Sequence, residues 1–267
     1  MSVATAFLRR DALTAISYRL SFLMQVVGVL FSMAAFYFVA KLFGSAMVPQ
    51  LEQYGGDYFS FVLIGLAFSN YLGLSLSNYA SSIREGQMTG TLEIMLLSPT
   101  KLSAILLSSS IWAYLLTTVN VILYLLLGVL IFGFDISHSN VLTAVVVLIL
   151  SVANFSSIGI LSAAMVLVVK KGDPVSWVFG GASSLLAGVY YPISVLPDWL
   201  TPISRALPLT YALDGMRLAM LRGYSLYQIR FDVLVLLGFS VVLIPVSLLV
   251  FKAALKRAKA EGSLIQY

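Results

Sequence analysis

The sequence contains no cysteine, a single histidine and few charged residues. The lack of cysteine excludes disulfides, thiolate chemistry and cysteine-ligated metals. The single histidine, His138, excludes a metal site of the ordinary histidine-rich type. Charged residues make up only 10% of the 267 residues and hydrophobic residues 60%, with a mean hydropathy of +0.98. These proportions exclude a soluble globular domain and indicate a membrane protein.

Long charge-free apolar runs indicate how this chain meets the membrane. A helix needs about 20 such residues to cross roughly 30 Å of hydrocarbon, whereas an outer-membrane barrel would show short alternating segments. We therefore predict an all-α integral membrane fold, a single transmembrane domain over 1–267. Its six predicted transmembrane helices lie at about 20–43, 58–82, 102–133, 139–169, 174–190 and 231–251.

The positive charges orient these helices. With both termini in the cytoplasm, eleven of the sixteen lysines and arginines lie on the cytoplasmic side, as the positive-inside rule favours. They are Arg9, Arg10, Arg19, Arg84, Lys101, Lys170, Lys171, Lys252, Lys256, Arg257 and Lys259. The first apolar run is too long for a cleaved signal peptide, so we expect it to be retained. We predict a multi-pass protein of a bacterial-type plasma membrane, with a cytoplasmic interfacial segment (1–19) and a cytoplasmic tail (252–267). The basic charge then faces anionic lipids and not nucleic acid.

The cytoplasmic segment 83–101, IREGQMTGTLEIMLLSPTK, predicts a short surface helix. Thr91 can cap this helix, Glu93 suits its positive N-terminal end, and Ser98-Pro99 ends it. Its large apolar side chains recur at helical spacing and form one face: Leu92, Met95 and Leu96. Such a helix either anchors a loop at the membrane surface or docks a cytoplasmic partner.

The outer segment 190–230 contains four of the eight prolines of the chain, within seventeen residues. Proline interrupts helices but suits a first turn, so Pro208 predicts a helix to Arg222 that Gly223 caps. Within it, Asp214 and Arg217 stand at the i, i+3 spacing of a side-chain pair. The apolar residues of this helix are too few to span a bilayer. We predict a re-entrant helical hairpin that enters and leaves on the outer side.

Two strings on opposite membrane faces carry a family resemblance. Inside, REGQMTGTLEIMLLSPTKLSAIL resembles the cytoplasmic signature of permease subunits of the ABC transporter type-2 exporter family. Outside, PISVLPDWL followed by LPLTYALDGMR resembles the outer signature of that family before its last helix. The resemblance covers the whole chain, in length, span number and order of signatures. One departure is Gln87-Met88-Thr89, where the family carries more acidic or glutamine-rich residues.

The resemblance implies a homodimer of six-span units that works with two cytoplasmic ATPase subunits. The sequence has no G-x-x-x-x-G-K-[ST] loop, so we expect no enzymatic activity and no cofactor in this chain, with ATP and magnesium on the partner. The short inner helix would be the coupling helix that contacts the ATPase. Its predicted contact residues are Arg84, Glu85, Gly90, Thr91, Leu92, Glu93, Met95 and Leu96.

Polar and small residues in the spans predict a pathway. Polar side chains in a bilayer face protein or water, so the asparagines of the spans either bond between helices or line a cavity. We favour the second span as a lining, because Asn70, Gly73 and Ser77 share one face. In the fifth span, Gly180, Ser184 and Gly188 recur every four residues, beside Trp177. Such a stripe serves either ordinary helix packing or, by the resemblance, the dimer axis.

The function predicted from these features is outward transport of an amphipathic or lipid-like substrate: a lipid, a drug or a lipid-linked glycan. No charge lies deep in a span, which favours an externally driven machine over an ion-coupled carrier. The resemblance makes the outer segment a gate, formed by Pro192, Leu196, Pro197, Trp199, Pro208, Tyr211, Asp214 and Arg217. The alternatives are a polysaccharide or O-antigen-type permease and a non-transporting regulatory subunit. An intramembrane protease is disfavoured, because pairing Ser183 with His138 requires an unfavourable geometry.

Overall fold

A computed structural model describes residues 19–43, 49–90, 102–169 and 173–260. These residues form helices joined by short turns and contain no strand. Two short 3₁₀ helices, Pro49–Tyr54 and Ile193–Val195, accompany eight α-helices. The α-helices are α1 (Arg19–Phe43), α2 (Tyr58–Met88), α3 (Leu102–Phe132), α4 (Val141–Val169), α5 (Pro174–Leu186), α6 (Thr201–Arg205), α7 (Pro208–Leu221) and α8 (Arg230–Ala260).

Local sequence signals set the helix ends. Asp57 caps α2, since its carboxylate accepts a hydrogen bond of 2.8 Å from the amide of Ser60. Asp173 caps α5 in the same way, and Pro174 occupies the first turn. Pro208 begins α7, as predicted, and Gly223 follows it with a φ of +68°, a conformation that glycine adopts without strain.

Five of the described helices, α1 to α4 and α8, are long and apolar enough to cross a membrane. The predicted fifth span, 174–190, differs: it is helical only over α5, whose 13 residues rise about 20 Å. That is shorter than roughly 30 Å of hydrocarbon. The helix ends because the backbone turns away at Gly188, where φ is +82°. The count of six spans therefore remains a prediction.

The core of the bundle lies between α2 and α4, which also contact α3, α5, α7 and α8. Small residues bring the two helices together, because a Cβ on Gly159 would lie 2.3 Å from the carbonyl oxygen of Ser75. By contrast, α1 packs mainly on α2 and α3, stacks Phe36 on Tyr190, and buries few of its described side chains, among them Val29 and Met33. Both α2 and α8 run further than predicted, to Met88 and Ala260.

Candidate functional site

The helix α7 is packed into the bundle and does not lie on its surface. It contacts α2, α4, α6 and α8, and most of its side chains are buried. Its first residues follow the exposed α6, so the outer segment consists of an exposed part and a deeply packed part. The residues predicted to form the outer gate are distributed over these two parts.

Arg217 is the buried charge that fixes α7. Its side chain is 2% exposed, and its guanidinium donates to the carbonyl oxygens of Phe61, at 3.1 Å, and Val189, at 3.0 Å. The guanidinium carbon also lies 3.4 Å from the centroid of the Phe61 ring, a cation–π contact. Burial lowers the pKa of Arg217 to about 9, so the group still carries its proton at neutral pH. One side chain thus joins α7 to α2 and to the segment after α5.

Gly65 makes room for this arrangement on α2. A Cβ at Gly65 would lie 2.2 Å from the carbonyl oxygen of Val189 and 2.7 Å from Nη2 of Arg217. Only a residue without a side chain allows the three groups to meet. Nothing in the local sequence marks Gly65 or Val189 as partners of Arg217, because they are distant along the chain.

Asp214 has a second partner besides the predicted one. It stands one turn from Arg217 and interacts with that charge electrostatically, as expected, but its hydrogen bond comes from the hydroxyl of Tyr54, while the two hydrogen bonds of Arg217 go to backbone carbonyls. Burial is the largest cause that raises the pKa of the Asp214 carboxyl, and it also raises the pKa of the Tyr54 phenol. Burial thus favours the neutral carboxyl, while the hydrogen bond from Tyr54 and the charge of Arg217 act in the opposite direction and favour the carboxylate.

The 3₁₀ helix Pro49–Tyr54 is hydrogen-bonded to α7 at two points. Tyr54 holds Asp214 in the middle of α7, and Arg222, which caps the end of α7, donates to the carbonyl oxygens of Glu52 and Gln53.

The remaining predicted gate residues differ in how deeply they are buried. Pro192 and Pro208 are buried, Tyr211 and Leu196 are partly buried, and Pro197 is exposed. Trp199 is 72% exposed, in the turn before α6. The predicted gate residues therefore divide into buried anchors on or beside α7 and an exposed apolar tip.

Three primary amides from three different helices meet at an open pocket between α1, α2 and α3. Gln25 of α1, Asn70 of α2 and Asn120 of α3 line a space of about 400 Å³, together with Gly28, Val29, Thr117 and Tyr124. Within the described residues none of the three amides has a hydrogen-bond partner in the protein. An amide offers both donors and acceptors, so this pocket suits a ligand with hydroxyl, ester or amide groups. We call it the amide pocket.

Other asparagines of the spans serve helix packing. Asn78 of α2 donates to the hydroxyl of Ser110 of α3 at 2.9 Å. Asn154 of α4 donates to the carbonyl oxygen of Leu236 of α8 at 3.0 Å. The sequence left two alternatives for these asparagines, bonding between helices or lining a cavity. Asn78 and Asn154 bond between helices, whereas Asn70 and Asn120 line the amide pocket.

The polar face of α2 stays uncovered along its length. Asn70, Gly73 and Ser77 are all exposed, and no atom of the described residues lies within 4 Å of a Cβ built on Gly73. This face continues into a groove of about 540 Å³ whose polar lining includes Ser77, Ser81, Arg84, Glu85, Thr89, Asp173 and Ser176. We call it the polar groove.

The small-residue stripe of the fifth span lies only partly on a helix. Gly180 faces α2, since its Cβ would lie 3.7 Å from Leu76, and Ser184 bonds to the carbonyl oxygen of Gly181 in its own helix. Gly188 lies beyond the end of α5 and is not on that face. Trp177 projects from α5 and is 81% exposed among the described residues.

Of the predicted coupling residues, the structure describes three. Arg84 and Glu85 are exposed near the end of α2, and Gly90 follows that helix with a φ of +68°. The others lie outside the described residues, so the coupling helix remains a prediction: Thr91, Leu92, Glu93, Met95 and Leu96.

The described bundle is that of a helical multi-pass membrane protein. The chain belongs to the ABC-2 type transporter family, whose model matches residues 5–221. It is therefore a membrane permease subunit of an ABC transporter, and the resemblance seen in its two signatures is confirmed. No curated protein sequence matches it closely enough to indicate a substrate.

Proposed function

We propose that this chain forms a homodimeric, ATP-driven exporter that moves an amphipathic substrate outward, with two separate ATPase subunits supplying energy. The observation that carries the proposal is the amide pocket, together with the uncovered polar face of α2. Polar groups on a membrane helix must face protein, water or ligand. A route for a substrate with a polar head meets this requirement.

The substrate route would run along the polar face of α2. It begins at the polar groove, at the end of α2 that we assign to the cytoplasm, and passes Ser77 and Gly73 to Asn70. The exposed face of α5, with Trp177, would line the same route or pair with a second copy. Three amides and few apolar anchors favour a head group rich in hydroxyls, so a lipid-linked glycan is the favoured member of the substrate class.

The outer gate would be α7 with the segment before it. Arg217, Gly65 and Tyr54 support this role because they hold α7 in one defined position against α2. Opening would require the buried guanidinium to exchange its carbonyl partners. A helix held by a few specific polar contacts can adopt two discrete positions, here closed and open, that differ in those contacts.

Energy would reach the route from the cytoplasmic end of α2. This helix continues without a break from the gate contact at Phe61 to Arg84 and Glu85. A rigid helix of this length can carry a movement from a docked ATPase to the outer side. The helix predicted at 91–97 would be the docking element, with Arg84 and Glu85 in the polar rim of the contact.

The experiment joins the chain with its partner ATPase in vesicles and measures hydrolysis against a panel of phospholipids, glycolipids and soluble amphiphiles. We expect at least one glycolipid to stimulate hydrolysis. The double variant Asn70→Leu, Asn120→Leu should abolish the stimulation but keep basal hydrolysis, while Ala35→Leu on the exposed face of α1 should retain both. Stimulation that is unchanged in the double variant would remove the amide pocket from the route. An ATPase that never associates with the chain would refute the exporter.

A further inference from the structure

An apolar cavity of about 400 Å³ lies between α2, α3, α4 and α7, apart from the amide pocket and the polar groove. Phe68 and Tyr71 of α2, Leu148 of α4 and Met216 and Met220 of α7 form its inner walls. An engineered apolar cavity of about 150 Å³ holds a benzene molecule, so this space accommodates a substantially larger hydrocarbon.

The lining has three polar side chains; Ser139 lies at the mouth, in the turn before α4, and the two inner ones, Tyr71 and Thr118, are already hydrogen-bonded. The Tyr71 hydroxyl donates to Oγ1 of Thr118 at 3.0 Å, and the Thr118 hydroxyl donates to the carbonyl oxygen of Tyr114 at 2.8 Å. A buried water needs about three polar partners, and an apolar cavity of this kind stays dry. The cavity therefore favours a hydrocarbon over water or a polar ligand.

The mouth of the cavity opens between α3 and α4, on the outward side of the bundle. The exposed residues of its lining all lie on α3, on α4 and in the turn between them: Ile122 is 55% exposed, Val141 64% and Val145 45%. Both helices are long and apolar enough to cross the bilayer. In a bilayer the outward side of two such helices meets the hydrocarbon region, where the abundant apolar molecules are lipid chains.

We propose that this cavity binds one acyl chain of a membrane lipid, inserted from the side between α3 and α4. The chain packs against Met216 and Met220, whose flexible thioethers adapt to an irregular apolar ligand. A bound lipid chain therefore stabilises the packed position of α7. Only this last consequence, a lipid-sensitive gate, rests on the proposed function; the binding site itself does not.

The test uses the full chain alone, in vesicles of phosphatidylcholine in which a fraction of the lipid carries a photoreactive diazirine on one acyl chain. After irradiation, mass spectrometry maps the labelled peptides. We expect labelling of the α7 peptide that contains Met216 and Met220, which the bundle shields from bulk lipid. Labelling confined to the outward faces of α1, α3 and α8 would overturn the proposal.

A filled cavity provides the matched comparison. In the variant Ala144→Leu, the three added carbon atoms take the space of about three methylene groups of the lipid chain, so labelling of the α7 peptide should fall by more than about tenfold. Ala35→Leu adds the same side chain to the exposed face of α1 and should leave the labelling unchanged. If Ala144→Leu does not fold, Ala67→Val, a smaller filling of the same cavity, replaces it. Equal labelling in the folded filled variant and the control refutes an acyl-chain site, whether or not the chain is an exporter.

Discussion

At the scale of single residues, the guanidinium of Arg217 fixes the outer segment by satisfying two backbone carbonyls that the bundle buries. Arg217→Met keeps most of the volume but removes the hydrogen bonds that the guanidinium donates to the carbonyl oxygens of Phe61 and Val189. A hydrogen bond from a charged group contributes about 1.5–3 kcal/mol, so we expect a clearly lower thermal unfolding midpoint in detergent. Arg205→Met, at an exposed position of α6, should change it little. Equal midpoints for the two variants would contradict the anchoring role of Arg217.

Asp214 makes stability depend on pH. Its pKa is raised in the folded chain by burial, so its contribution is fully present below the ordinary aspartate pKa of about 3.9 and is lost as the pH rises through the raised value. The ionisable groups that interact with the Asp214 carboxyl are Tyr54, Arg217 and Asp232. Asp214→Asn keeps an acceptor for Tyr54 without a charge. The unfolding midpoint of the variant should therefore fall less than that of the parent between about pH 4 and pH 8. Parallel pH profiles would show that Asp214 does not titrate in this range.

At the scale of helices, the approach of α2 to the outer segment depends on Gly65. Gly65→Ala forces a Cβ against the carbonyl oxygen of Val189, which is backbone and cannot rotate away. We expect a lower yield of folded protein and a lower unfolding midpoint. Gly73→Ala, two turns further along α2, meets no atom within 4 Å and gains helix propensity, so it should fold normally. A folded, unaltered Gly65→Ala protein would mean that the outer segment is not held as closely as described.

The inner helix provides the second prediction at this scale. The double variant Leu92→Asp, Glu93→Lys removes an apolar anchor and reverses a charge of the predicted coupling helix. Transport should be uncoupled from ATP hydrolysis, while the chain stays folded and inserted. Lys256→Glu, an exposed charge reversal near the end of α8, serves as the control. Transport at the parental rate in the double variant would contradict the docking role.

At the scale of the whole molecule, a single chain leaves large apolar side chains on α5 uncovered, above all Trp177. Because the sequence contains no cysteine, any disulfide between two copies must come from the one cysteine that is introduced. Trp177→Cys should form a disulfide between two copies on mild oxidation if α5 lies at the dimer axis. Leu234→Cys, exposed on α8, should not. Cross-linking of the α8 thiol alone would place the contact between copies elsewhere.

The extent of prediction from sequence differed between elements for physical reasons. Helix starts at Pro174 and Pro208 followed from local backbone restrictions, which act within a few residues. The end of α5 did not, because the apolar run continues past Leu186 while the backbone turns towards Arg217. The packing of α7 between α2, α4 and α8 likewise could not be predicted from the spacing of apolar residues along the sequence.

The sequence by itself determined that this is a helical membrane protein, where its long helices lie, and to which family it belongs. These properties depend on apolar length, on charge and on short contiguous signatures. Only the tertiary structure decided that Arg217 meets Phe61 and Val189, that Gln25, Asn70 and Asn120 share one pocket, and that α7 closes an apolar cavity. Each of these depends on helices remote in sequence approaching at particular rotations, which side-chain packing sets and residue order alone does not reveal.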